Sequence, residues 1–193
     1  RFTVRIFQSI IEYTDPRHPH APTKAGDTVY TYDGNGNRVS ETRNSETTIY
    51  KYNGFNELAS ITNKNGTTIY IYDGFSNRVL KILPDGSTIT YPTKLTEVDT
   101  AGSYTNYLFL NNQRIATIKN NTTVYNITDH LGSSSLTLND NGGVVQKIDY
   151  LPFGQERLNI QTQTDSPFTT THTFNDKDKD PESGLIYFEA RYY

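Results

Sequence analysis

Apolar and polar residues alternate along short segments of the chain with a period of two. In one such segment Ile69 and Ile71 occupy one set of positions, and Tyr70 and Tyr72 occupy the other. Successive side chains of a β-strand point to opposite faces of a sheet, so the pattern predicts strands with isoleucine on one face and tyrosine on the other. Because both sets are partly apolar, the pattern predicts a sheet covered on both faces. No segment has a sustained period of 3.6 residues, so no long helix is predicted.

The strand pattern recurs every 20 residues. Its marker is a Tyr-x-Tyr pair followed by Asp or Asn and then Gly, and the paired tyrosines are Tyr30 and Tyr32, Tyr50 and Tyr52, and Tyr70 and Tyr72. An Asn-Arg-Val run follows at residues 37–39 and again at 77–79. A fourth copy begins at Gly86 but has Thr90 where a tyrosine belongs. Each period has room for two strands of roughly 6–7 residues and two turns.

Turn residues separate the predicted strands. Asn-Gly and Asp-Gly pairs supply the left-handed backbone that tight hairpins need. Stacked hairpins of this kind predict tyrosine ladders across neighbouring strands, worth roughly 0.2–1 kcal/mol per pair. A single hairpin is marginally stable, so the strand edges at the ends are expected to pair with the remainder of a longer chain or with a copy of the same chain.

Beyond residue 92 the strict period fades, but hairpins continue. Strands are predicted at 104–110, 114–118, 122–127, 135–138 and 144–150. A loop at 159–173 is predicted to lead into a strand at 171–174. The chain therefore divides into a non-repeat segment at 1–27, the 20-residue repeats at 28–92 and a further β region at 93–193.

Composition narrows the class of protein. Only 34% of the 193 residues are hydrophobic, but 15 tyrosines and 9 phenylalanines argue against disorder throughout. A net charge of −3 without a basic block disfavours nucleic-acid binding, and no apolar run is long enough to predict a membrane span. The absence of cysteine excludes disulfides and thiolate metal sites. A sequence that opens without methionine is expected to be a fragment or a processed piece.

Several stretches together resemble one family. The tyrosine repeats resemble the YD repeats of Rhs proteins, Tc toxin C components and teneurins. Residues 125–133 (YNITDHLGS) are similar to the YxxxDHLGS block of that family, residues 149–154 to its YxPFG block, and residues 180–193 to the DxETGLxYxxARYY run of the Rhs-associated core. The matching motif residues are Asp129, His130, Gly132, Pro152, Phe153, Gly154, Gly184, Tyr187 and Arg191. The resemblance covers about residues 28–193, and the bacterial form fits better than the animal form.

The resemblance implies a fold and a function. In the family, hairpin repeats wind into a hollow β-shell that encloses a C-terminal segment, which is often a toxin. The chain is therefore expected to be an all-β structural piece of such a shell or its cap, truncated at its C-terminus, without catalysis, cofactor or metal. It is expected to belong to a secreted or cell-surface bacterial protein that delivers a toxin.

The resemblance also bears on self-cleavage. In the family, aspartates that follow the ARYY run support a cut that frees the cargo, and Arg191 matches the motif arginine of that site. An arginine alone cannot perform acid–base chemistry on a peptide bond. Because the sequence ends at Tyr193, aspartic-type self-cleavage is expected only in a longer precursor.

Other functions remain open as alternatives. Exposed tyrosines are able to stack on sugar rings, which makes a carbohydrate-binding adhesin one alternative. Edge-to-edge assembly of copies into a surface filament is another. The regular register of Tyr30, Tyr50 and Tyr70 is, however, more typical of packing within a sheet.

Three short stretches carry residues that are typical of catalytic or metal sites. Asp129-His130 is predicted to form a turn, with Asp129 bonding backbone N–H groups and His130 packed, because no serine or cysteine nucleophile motif accompanies it. Residues 33–37 and 176–180 open like calcium loops but lack the glycine and glutamate that such loops require, so both are predicted to be solvated turns. The histidines of residues 18–20 are only a weak metal signal.

Overall fold

The computed structural model describes residues 2–6, 9–162, 168–189 and 191–192. The chain folds into two compact units. The first contains residues 1–71 and 81–86, and the second contains residues 72–80 and 87–193. The three-part division of the sequence at residues 27 and 92 stays a prediction.

The first unit is a run of antiparallel hairpins in which each strand pairs with the next. Its strands are β1 (Phe2–Ile6), β2 (Ser9–Tyr13), β3 (Lys24–Ala25), β4 (Thr28–Tyr32), β5 (Arg38–Arg43), β6 (Glu46–Tyr52), β7 (Leu58–Asn63) and β8 (Gly66–Tyr72), whose last residue belongs to the second unit. Strands β6, β7 and β8 contain 7, 6 and 7 residues, as the 20-residue period predicts.

The second unit continues the same architecture, and β10 to β17 pair in chain order. Its strands are β9 (Arg78–Ile82, whose last two residues belong to the first unit), β10 (Thr88–Thr93), β11 (Thr96–Asp99), β12 (Tyr104–Leu110), β13 (Gln113–Lys119), β14 (Thr122–Thr128), β15 (Ser134–Leu138), β16 (Val144–Tyr150) and β17 (Glu156–Gln161). The prediction of an all-β array of antiparallel hairpins is confirmed.

The C-terminal segment, residues 168–189, departs from the hairpin pattern. It contains a one-turn 3₁₀ helix at Phe174–Asp176 and two short paired strands, β18 (Asp178–Lys179) and β19 (Ile186–Tyr187). The predicted strand at 171–174 is wrong, since this stretch forms only a single bridge between His172 and Asp178. Thr173, with φ of −119° and ψ of −107°, departs from the extended conformation, and left-handed backbone follows at Asn175 and Asp176, with φ of 51° and 55°.

One face of the repeat strands is buried and the other is open. Tyr50 and Tyr70 are 4% and 3% exposed, whereas Ile49 and Ile69 are 45% and 41% exposed. The prediction that both faces are covered is therefore wrong within this chain. Isoleucine favours the strand conformation whether or not it is buried, so its presence in the repeat did not require a second covering layer.

Arginine, rather than a second tyrosine, packs beside the repeat tyrosines. Tyr30 lies on β4 and Tyr50 on β6, with β5 between them, so the predicted ladder of tyrosines on neighbouring strands is wrong. The guanidinium carbon of Arg38, on β5, lies 5.6 Å from the ring centroid of Tyr30 and 4.7 Å from that of Tyr50. A cation over an aromatic face is stabilising by about 0.5–2 kcal/mol.

The aspartate of the tyrosine repeat organises a five-residue turn. Asp33 Oδ1 accepts hydrogen bonds from the backbone N–H groups of Asn35 and Asn37, both at 2.9 Å. The same pair of bonds recurs at Asn53, Asp73, Asp99, Asp129 and Asn139. The left-handed residue is the fourth of the turn, for example Gly36 with φ of 84°, and Gly34 does not have a positive φ. The prediction that each Asp-Gly glycine supplies the left-handed backbone is therefore wrong at this turn.

Candidate functional site

Two buried arginines of the second unit hold the C-terminal segment. Arg78 begins β9 and Arg114 lies in β13, and their side chains are 2% and 0% exposed. The alternation of the strand places Arg114 on the buried face together with Ala116. A buried guanidinium group is costly unless it is paired and hydrogen-bonded, so its partners decide whether the unit is stable.

Arg78 binds two aspartates of the C-terminal segment. Its Nη1 donates to Asp180 Oδ2 at 2.9 Å, and its Nη2 donates to Asp178 Oδ2 at 2.5 Å. Asp180 is fully buried, so its charge depends on this pair. The hydroxyl groups of Tyr192 and Tyr91 also accept hydrogen bonds from Arg78, both at 2.9 Å.

Aromatic rings enclose the same guanidinium group. The ring centroids of Tyr91 and Tyr187 lie 4.6 and 4.5 Å from Arg78 Cζ. Tyr91 follows Thr90, the position where the repeat predicts a tyrosine, and the pairing of β10 with β11 shifts register between Thr90 and Thr93. The repeat therefore retains a tyrosine partner for its arginine, displaced by one residue.

Arg114 binds the same segment at a different point. Its Nε donates to Asp176 Oδ1 at 2.7 Å, and its Nη2 donates to the carbonyl oxygen of His172 at 3.1 Å. A third bond, from Nη1 to Thr117 Oγ1 at 2.8 Å, holds the guanidinium within its own strand. The first two bonds join residues that are far apart in sequence, and no local pattern around Arg114 signals them.

The alternating charges of residues 176–180 are divided between two sets of partners. The three aspartates bind the buried arginines, while Lys177 pairs with Glu189 at 2.9 Å and Lys179 pairs with Glu156 at 2.6 Å. The ammonium group of Lys177 holds the pKa of Glu189 below its usual value. The prediction of a solvated turn at 176–180 is wrong, because the alternation directs carboxylates and ammonium groups to different neighbours.

The DHLGS and YxPFG motifs lie against the C-terminal segment. Ser133 Oγ accepts the backbone N–H of Asn175 at 3.2 Å, and the backbone N–H of Ser134 donates to the carbonyl of Thr173 at 3.0 Å. The Tyr150 ring packs against the Phe174 ring with centroids 5.7 Å apart. The two motifs thus form the surface on which residues 173–175 rest.

The DHLGS motif itself is a turn of the kind seen at Asp33. Asp129 Oδ1 accepts the backbone N–H groups of Leu131 at 2.8 Å and Ser133 at 2.9 Å, which confirms the predicted turn. His130 is exposed, so the prediction that it packs is wrong. It occupies the second position of the turn.

Replacing Asp129 by alanine should lower the free energy of unfolding by about 1–2 kcal/mol, because two backbone N–H groups lose their acceptor. Asn53 performs the same role in its own turn, so Asp129→Asn serves as the matched control and should remain close to the wild type. Urea denaturation of both variants measures the difference. Equal stability of the alanine and asparagine variants would contradict the role assigned to this oxygen.

The remaining motif residues fall into two groups. Tyr32 and Tyr52 donate their hydroxyl groups to the carbonyl oxygens of Pro22 at 2.7 Å and Arg38 at 3.1 Å, and Tyr72 is half-buried. The residues of the second group lie in or near turns: Pro152, Phe153 and Arg191 are exposed, and Gly132 (φ 85°), Gly154 (φ 82°) and Gly184 (φ 74°) have left-handed backbone. Burial of the repeat tyrosines matches their predicted role in packing, and Tyr50 and Tyr70 are too enclosed to stack on a sugar.

A cavity of about 800 Å³ opens beside Arg78 within the second unit. Its lining includes Glu97 of β11 together with His172 and Asp178 of the C-terminal segment. Tyr107 donates its hydroxyl to Glu97 Oε1 at 2.8 Å, and its ring centroid lies 4.3 Å from that of the His172 ring. Sequence reasoning did not identify Glu97 or His172, because nothing near either residue indicates that they meet.

Burial lowers the pKa of His172 to about 4, so its imidazole is neutral near pH 7. The unfolded chain has the ordinary value of about 6.5 and binds the proton more readily between pH 4 and 6.5. The free energy of unfolding should therefore fall by about 2 kcal/mol between pH 7.5 and pH 5 on account of this residue alone. Denaturation at both values in metal-free buffer, compared with His172→Gln, isolates the effect. A wild type no more pH-sensitive than the variant would refute it.

No helix in the described part of the chain is both long and apolar enough to cross a membrane.

Comparison with known proteins identifies the relatives of this architecture. The model of the Teneurin YD-shell family matches residues 17–193. No curated protein matches the sequence. Among solved structures, the Tc holotoxin pore of Photorhabdus luminescens, carrying a substitution in TccC3, matches with a TM-score of 0.65 and 18% identity over 86% of this chain and 11% of that chain. A TcdB2–TccC3 complex matches with a TM-score of 0.63 and 18% identity over 86% of this chain and 12% of that chain.

The solved structures and the family model support different conclusions. At 18% identity the solved structures establish a shared fold. The chain spans only about a ninth of the length of those proteins. The family model, in contrast, covers most of the sequence, including the tyrosine repeats and the segment bound by Arg78 and Arg114. The predicted relationship to the Rhs and YD-repeat proteins is confirmed, and the chain belongs to the Teneurin YD-shell family as a structural shell segment.

Proposed function

We propose that this chain forms part of the wall of a closed YD shell and that its tyrosine and arginine face lines the interior. In this role the C-terminal segment lies against the inside of the wall and directs the polypeptide that follows it into the enclosed space. The enclosed cargo is a C-terminal toxin, and the complete protein is secreted or displayed on the surface of a bacterium. The chain itself performs no catalysis.

The observation that carries the proposal is the attachment of residues 168–189 to the buried face of the second unit. Arg78 and Arg114 make ion pairs with three successive alternate aspartates, and the pairs with Asp176 and Asp180 span 62 and 102 residues of sequence. A shell that holds a cargo needs its exit segment fixed to the wall. The similarity in fold to Tc toxin structures supports the same interpretation.

Protease protection tests the enclosure. The complete natural protein that contains this chain should be exposed to a nonspecific protease, and the polypeptide following residue 193 should survive much longer than the same polypeptide made alone. Equal rates of digestion would rule out enclosure.

Release of the cargo by self-cleavage remains part of this proposal only for a longer precursor. Arg191 is exposed, and its backbone carbonyl accepts the N–H of Phe188 at 2.8 Å. Intact-mass measurement of the complete protein would reveal a cut after the ARYY run. A single uncut mass would remove self-cleavage from the proposal and leave the role in the shell wall untouched.

A further inference from the structure

We propose that Glu97, His172 and Asp178 form a binding site for one divalent transition-metal ion, of which Zn²⁺ is the representative. Each residue offers one ligand atom, and the three atoms lie within 4.8 Å of one another. One imidazole nitrogen and two carboxylate oxygens make a donor set common to protein sites for Zn²⁺ and neighbouring first-row ions. The cavity of about 800 Å³ beside them leaves space for water to complete the coordination. The site is independent of the proposed role in a shell.

The two carboxylates of the donor set supply negative charge for a cation. Glu97 and Asp178 each bring one carboxylate, and the imidazole of His172 adds a nitrogen ligand. Asp178 also pairs with Arg78 at 2.5 Å, but the same guanidinium group pairs with Asp180 at 2.9 Å, so its single positive charge is shared between two carboxylates. Asp178 therefore keeps negative charge that a divalent ion would balance.

The charged residues around these ligands form pairs of opposite sign. Arg78 binds Asp178 at 2.5 Å and Asp180 at 2.9 Å, and Arg114 binds Asp176 at 2.7 Å. Lys177 pairs with Glu189 at 2.9 Å, and the cavity lining also contains one further acidic residue, Asp73, and one further basic residue, Lys94. A cation that enters the cavity therefore meets a lining without a net excess of basic residues.

Each proposed ligand is oriented by a second residue. Tyr107 donates to Glu97 Oε1 at 2.8 Å, and Arg78 donates to Asp178 Oδ2 at 2.5 Å. Thr171 Oγ1 lies 3.3 Å from His172 Nδ1, so a proton on Nδ1 would direct Nε2 to the metal. Histidine and carboxylate ligands of protein metal sites are usually held by outer partners of this kind.

The ion would join two parts of the second unit. Glu97 belongs to β11, whereas His172 and Asp178 belong to the C-terminal segment. Bound metal would thus fasten that segment to the sheet in addition to the arginine pairs. Ca²⁺ is a poor candidate because it prefers six to eight oxygen ligands, which this set does not provide.

Isothermal titration of the metal-stripped chain with Zn²⁺ tests the site. We expect one ion per chain for the wild type and at least about tenfold weaker binding for both Glu97→Gln and His172→Gln. His130→Gln is the matched control, since His130 is exposed in its turn, and it should bind as the wild type does. Ca²⁺ should show no binding of comparable strength. Absence of Zn²⁺ binding by the wild type, or equal binding by all four proteins, would overturn the proposal.

Hydrogen exchange supplies a readout that does not depend on the variants folding equally well. Addition of Zn²⁺ to the wild type should slow exchange in residues 168–189 and in β11, with little change in β4 to β6 of the first unit. Tight binding without local protection would place the ion elsewhere and would also overturn the assignment. Circular dichroism of each variant before titration separates a lost ligand from a lost fold, and Glu97→Gln retains the acceptor for Tyr107.

Discussion

Replacing Arg78 by methionine is expected to lower the free energy of unfolding by about 3–5 kcal/mol, the usual consequence of removing one member of a buried ion pair. The guanidinium is 2% exposed and binds Asp178 and the fully buried Asp180. Without it both carboxylates remain in a medium that solvates them poorly. Denaturant unfolding followed by tyrosine fluorescence measures the loss.

Two comparisons make this result specific. Arg157→Met removes an arginine whose partner is also at the surface and should cost less than about 1 kcal/mol. The triple variant Arg78→Met, Asp178→Asn, Asp180→Asn removes the buried carboxylate charges as well and should recover part of the stability lost by Arg78→Met alone. If the single variant is no less stable than Arg157→Met, the arginine does not hold the C-terminal segment in the way described.

Replacing Gly154 by alanine should be destabilising by about 2–5 kcal/mol. A Cβ atom at this position would lie 2.8 Å from Cδ1 and 2.9 Å from Cγ of Phe174, and φ is +82°. Left-handed backbone costs a residue with a Cβ about 1–2 kcal/mol, and overpacking adds about 1–3 kcal/mol. The expected loss exceeds that of an ordinary turn glycine because the ring of Phe174 rests directly on the glycine.

Gly132→Ala is the matched control for this prediction. Gly132 has a similar φ of +85°, but a Cβ atom added there would meet nothing within 4 Å, so only the backbone cost applies. The difference between the two variants reports the Phe174 contact, and a second change, Phe174→Leu, should reduce it. Identical losses at both glycines would show that Phe174 does not pack on the YxPFG turn.

The strands and turns of this fold are largely predictable because their causes are local. The 20-residue spacing of Tyr30, Tyr50 and Tyr70 places β4, β6 and β8 correctly. Asp129 forms the expected turn because an aspartate reaches backbone N–H groups two and four residues ahead, whatever the rest of the chain does. Neighbouring residues alone decide these features.

The candidate site was not predictable in the same way, because its partners are distant in sequence. Arg78 and Asp180 are 102 residues apart, and Asp176 and Arg114 are 62 residues apart. A short run of alternating charges resembles a solvent-exposed turn as long as the distant residues that pair with it are unknown. One signal in the sequence is the recurrence of Asn-Arg-Val at residues 37–39 and 77–79, because an arginine at the same place in two tyrosine repeats indicates packing against tyrosine rings.

The alternation of Asp and Lys at 176–180 affects the register in which this segment pairs with the rest of the second unit. A slip of one residue would bring Lys177 and Lys179 against the guanidinium groups of Arg114 and Arg78, and the aspartates against Glu156 and Glu189. Attraction at every contact would become repulsion between like charges. The alternating charges of these five residues therefore make an alignment shifted by one residue electrostatically unfavourable, so they help to fix the register of the segment.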